Sequence, residues 1–88
     1  MKSYRLKITT PSEDVYDSEA LQLSVRVTEG DIAIMAGHIP FVSAVVPGAC
    51  RVYLTSGDIR EGKCSDGILA VSSDGVRLLC SSFEWNRT

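Results

Sequence analysis

Catalytic side chains are scarce in this 88-residue chain, which has one histidine, His38. Nucleophilic catalysis needs a nucleophile, a base and an orienting group to converge, and no family-specific catalytic signature surrounds His38, Ser43, Cys50 or Cys64. An enzyme is therefore not expected. Structural zinc sites want four ligands, usually in closely spaced pairs, and neither the lone histidine nor the scattered Cys50, Cys64 and Cys80 supply them. No metal and no cofactor are expected. The glycines form neither G-x-x-x-x-G-K-[ST] nor G-x-G-x-x-G, so nucleotide binding has no motif.

Other absences narrow the class further. No apolar run approaches the ~20 residues of a membrane-spanning helix. The opening "MKSYRLKITTPSEDV" has neither a signal-peptide core nor transit-peptide composition, so the product is expected to stay in the compartment where it is made. A net charge of −2 and the lack of any basic run argue against nucleic acid as a partner. Three cysteines cannot all pair within one chain, and the expectation is buried thiols in a reducing compartment.

What the chain does have is alternation. Tyr4, Leu6 and Ile8 alternate with Arg5, Lys7 and Thr9, and Leu21, Leu23, Val25 and Val27 with Gln22, Ser24 and Arg26. Period two is the mark of half-buried strands. Further strands are predicted at 15–18, 32–35, 41–45, 49–54, 59–64, 68–71 and 76–80. Turn residues separate nearly all of them: Pro11-Ser12, Glu29-Gly30, Gly37, Pro47-Gly48, Ser56-Gly57-Asp58, Asp66-Gly67 and Asp74-Gly75. The best helix candidate, residues 12–23, lacks a sustained apolar stripe, and its Val15-Tyr16 pair favours a strand. The predicted fold is all-β, a flattened β-sandwich or barrel of about eight to ten short strands. One domain is expected over residues 1–80, with 81–88 as a short tail.

The stretch "VTEGDIAIMAGHIPFVSAVVPG", Val27 to Gly48, carries more than strand pattern. Together with "YRLKITTP", "DVYDSEA" and "CSDGILAVSSDGVRLLC", it resembles the N-terminal β-sandwich domain of the epsilon subunit of F-type ATP synthases. The likeness runs from Tyr4 to about Cys80, in the family's order. Ala33 stands where the family usually has glycine, and Ala36 where it usually has proline. Family members commonly continue into a pair of helices, whereas only "SSFEWNRT" follows Cys80 here.

The resemblance implies a noncatalytic subunit of the central rotor stalk, bound to the gamma subunit and resting on the membrane c-ring. It places the chain peripherally on the cytoplasmic face of a bacterial plasma membrane, without direct membrane insertion. Glu29, Gly30 and Asp31 match the ring-facing loop; His38, Ile39, Phe41, Val42 and Ser43 match the segment facing gamma. Inhibition and nucleotide contacts belong to the family's C-terminal helices, so neither is expected of this chain. A plain solvated hairpin tip is the alternative for the first set. For Ile39, Phe41 and Val42 the alternative is burial in the domain's own core, because period alone does not say what lies across a second face. The competing function is a free-standing β-sandwich module that binds another protein.

Overall fold

A computed structural model describes residues 2–37 and 39–86. Ten strands follow in chain order: β1 (Tyr4–Thr9), β2 (Asp14–Ala20), β3 (Gln22–Val27), β4 (Gly30–Met35), β5 (Phe41–Val45), β6 (Gly48–Tyr53), β7 (Ile59–Cys64), β8 (Gly67–Ser72), β9 (Gly75–Cys80) and β10 (Phe83–Trp85). Among the described residues there is no helix. The stretch 12–23 is strand for most of its length because residues 14–20 pair with β1, burying Tyr16 and Ala20 while Asp17 and Glu19 stay exposed on the other face.

The strands form two layers. One runs β2-β1-β9-β8-β5, the other β4-β3-β6-β7-β10. They join at a corner where Val45 pairs with Val27 and the Val46 amide donates to the Arg26 carbonyl at 3.1 Å. Pro47 follows, between β5 and β6, where losing a donor breaks no ladder. All pairings are antiparallel except β1 with β9. Residues 83–85, within the segment set apart as a tail, add β10 to the free edge of β7.

Between the layers, alternate residues meet in one core. Leu6, Ile8, Leu23, Leu69 and Leu78 are fully buried, each burial stabilising by roughly 1.5–3 kcal/mol relative to exposure. Tyr4 crosses from β1, its hydroxyl donating to the Ile34 carbonyl of β4 at 2.7 Å, so the one polar atom it brings inside is satisfied. The seam between β2 and β10 is closed by aromatics. Trp85 meets Tyr16 edge-on at 6.4 Å and Phe83 at 4.7 Å, and the Arg60 guanidinium lies 3.9 Å from the Trp85 ring centre. Gly62 is required beneath them, since a Cβ there would stand 2.8 Å from the Phe83 ring.

Candidate functional site

Two regions bear on the residues singled out above. The first is β5 and the chain leading into it. Ile39 is 80% exposed and Val42 72%, while Phe41 retains 37%. None of the three is completely buried in the domain's own core. Alternation divides them: Val45 is buried, so Phe41 and Ser43 share its inward face and Val42 points outward with Ala44. Phe41 keeps partial exposure because it lies at the open end of the strand, opposite the buried Val71. His38 lies outside the described residues.

Val42 does not stand alone on the outer face. It is opposite Ala70, and Ala44 is opposite Ile68, which in turn is opposite Leu79. Ile68 is 50% exposed and Leu79 47%. Five apolar side chains on three neighbouring strands thus face away from the core. Sequence reasoning from period two missed Ala44, Ile68, Ala70 and Leu79. A signal existed: Phe41-Val42, Ala44-Val45, Ile68-Leu69 and Leu78-Leu79 are adjacent apolar pairs, and in a strand one member of each pair must face outward. Exposed apolar side chains gathered on one face are the usual mark of an interaction surface.

The second region is the β3–β4 hairpin. Val27 pairs with Gly30, leaving Thr28 and Glu29 as the two turn residues. Gly30 has φ of +123°, a conformation that disfavours any side chain, with open space around it. The two carboxylates differ. Asp31 accepts from the Arg26 guanidinium at 2.9 Å, and that partner holds its carboxyl below the ordinary value. Among the described residues Glu29 accepts only from the adjacent Thr28 hydroxyl, at 2.7 Å, and no cation pairs with it at the tip. Ala33 sits in an unbroken ladder opposite Ser24, so the replacement of glycine there leaves the hairpin regular.

Cys50, Cys64 and Cys80 are free thiols in the core. Burial pushes all three upward, Cys80 to about 11, and so keeps them protonated and poorly nucleophilic. Among the described residues, no group of three His, Cys, Asp or Glu side chains is arranged to hold a metal ion.

Comparison with known proteins agrees with this architecture. Residues 3–86 match the β-sandwich domain family of the ATP synthase Delta/Epsilon chain. The ATP synthase epsilon chain of Ruminococcus albus is 34% identical over 87 residues, covering 98% of this chain and 64% of that one. That of Alkaliphilus oremlandii is 37% identical over 83 residues, covering 94% and 61%. The chain therefore spans less than two thirds of the length of these relatives. Among solved structures, a chain of the Euglena gracilis mitochondrial ATP synthase (OSCP/F1/c-ring, rotational state 1) superposes with a TM-score of 0.88 at 22% identity, over 94% of this chain and 53% of that one. A chain of the Tetrahymena thermophila mitochondrial ATP synthase central stalk/c-ring gives 0.79 at 14% identity, over 94% and 66%. These two likenesses concern the fold. By its match over almost its whole length, the chain belongs to the ATP synthase Delta/Epsilon β-sandwich domain family.

Proposed function

We propose that this chain is a noncatalytic subunit of the central stalk of a proton-translocating F-type ATP synthase, holding the gamma subunit through the β5 face and meeting the c-ring through the β3–β4 tip. Such a subunit transmits torque by staying bound, so it needs rigidity and a durable interface rather than a reactive group. Two hydrogen-bonded layers around one core supply the first. The observation that carries the interface is the outward, 72% exposed Val42 beside Ile68 and Leu79: apolar side chains that the domain's own packing leaves in water. At the tip, Glu29 offers a carboxylate to the basic loop residues expected of the ring. The complex would place the chain peripherally at the cytoplasmic face of the bacterial membrane.

A pull-down of the tagged chain from native membranes, with partners identified by mass, tests the reading. Gamma and the ring subunit are expected to co-purify. Recovery of a different partner, without either of them, would replace it with the free-standing binding module.

A further inference from the structure

The outer face that carries Val42 also carries a cation with no acid of its own. Arg77 of β9 is opposite Ala70, which is opposite Val42, so one guanidinium borders the apolar group. Its other neighbour, across the parallel pairing, is Lys7 of β1. Two cations directly opposite each other destabilise a sheet. Arg5 bonds Asp17 at 2.7 Å, and Lys7, opposite that same Asp17 across β2, reaches Asp14 at 4.0 Å. Arg77 has neither an ion pair nor a side-chain hydrogen bond to any described residue. Beside it lies a depression of about 300 Å³ bounded by Arg5, Lys7 and Arg77 and by Asp17 and Asp74.

We infer that the docked partner places a carboxylate over Arg77 and Lys7, next to apolar side chains seated on Val42, Ala70 and Leu79. This rests on the stalk reading above and adds the chemistry of the contact: an apolar surface with an acidic residue at its margin. Arg77 opposite Lys7 costs the free domain stability, and the partner's carboxylate offsets that cost in the complex. Cation and apolar group adjoin on one sheet face, so a single partner surface covers both.

The inference separates binding from folding, which makes it testable with the whole 88-residue chain and the gamma subunit of the same complex. Affinity is measured at low and high salt, and the melting temperature of each variant is taken alone. Arg77→Glu is expected to weaken gamma binding about tenfold or more and to flatten its salt dependence. The same change sets opposite charges across β1 and β9, so the free domain should melt higher by about 1–4 °C. Lys63→Glu, on the other outer face, should leave gamma affinity within about twofold. If Arg77→Glu binds gamma as tightly as the unaltered chain, the carboxylate contact is wrong; loss of binding by Val42→Asp in the same assay would then show the stalk reading intact. Failure of the unaltered, folded chain to bind gamma at all would overturn both.

Discussion

The two outer faces of this sandwich are made of the same kind of strand, yet they treat their side chains differently. Across β3, β4, β6 and β7, cations stand beside acids. Arg26 bonds Asp31 at 2.9 Å, Arg51 bonds Glu61 at 2.5 Å, and Asn86 donates to the other oxygen of Glu61 at 3.1 Å. Across β5, β8 and β9, Val42, Ala44, Ile68, Ala70 and Leu79 meet water, and Arg77 faces Lys7. The paired face also exposes Met35 and Ile59, but Gln22 and Tyr53 stand between them across the sheet, whereas on the other face Ile68 is directly opposite Leu79 and Arg77 has no acid of its own among the described residues. That grouping, rather than exposure alone, supports the proposed interaction surface.

The largest effect should come from a residue that separates inside from outside on one strand. Leu78→Ala removes a fully buried side chain and should cost about 2–5 kcal/mol by denaturant unfolding. Leu79→Ala, one residue later on the outer face, should cost less than about 0.5 kcal/mol in the free domain. A large loss from Leu79→Ala would mean that the outer face serves the domain's own stability.

Next is the partner surface itself. Val42→Ala should weaken gamma binding by about 2 kcal/mol, some thirtyfold, if Val42 sits near the interface centre. Ala49→Asp, an exposed change on the charge-paired layer, should leave that affinity unchanged. Equal losses from both, measured by calorimetry on folded variants, would erase the distinction between the faces.

At the hairpin tip the expected effect is smaller. Asp31→Lys removes the partner of Arg26 and leaves two cations beside Glu29. Attachment to the ring should fall roughly two- to fivefold, more at low salt than at high. Unchanged proton pumping by the reconstituted complex at both salt concentrations would remove the tip from the ring contact.

The smallest effect concerns the paired face and pH. Arg51 holds the Glu61 carboxyl below its ordinary 4.5, and Arg26 holds Asp31 below 3.8. A carboxyl lowered in the folded state contributes stability above its unfolded value and loses it as pH falls through the folded one. Melting temperature should therefore decline as pH drops below about 4.5. Asp31 is exposed and Glu61 half-exposed, so solvent weakens both pairs, and Glu61→Gln should lower the neutral-pH melting temperature by no more than about 1–2 °C while making its acid dependence shallower. An acid profile unaltered by Glu61→Gln would show that this pair is screened out.

Much of the fold is legible in the amino-acid order because strand and turn chemistry are local. Alternation at Tyr4-Leu6-Ile8 and Leu23-Val25-Val27 becomes β1 and β3, with those residues buried. Asp66-Gly67 and Asp74-Gly75 lie where β8 and β9 begin. The acidic stretch 14–20 was harder, and only four of its residues were predicted as strand. Its outer face bears Asp17 and Glu19, and its inward face is supplied by Tyr16 and Ala20, whose partners are distant in sequence. Phe83 and Trp85 were harder still: three residues make a strand only because β7 has a free edge and the Gly62 hollow accepts an aromatic ring.

For the candidate site, amino-acid order alone dictates that one member of each adjacent apolar pair faces outward, that a turn falls at Glu29-Gly30 and that reactive groups are scarce. These are consequences of a two-residue period and of side-chain chemistry, which need no knowledge of neighbours. The tertiary structure alone decided that Val42 shares a surface with Ile68 and Leu79, that Asp31 spends its charge on Arg26, and that Arg77 faces Lys7. Those are matters of strand order and register, set by how ten short strands bury one core together, and no local pattern along a single strand encodes which strand lies beside it.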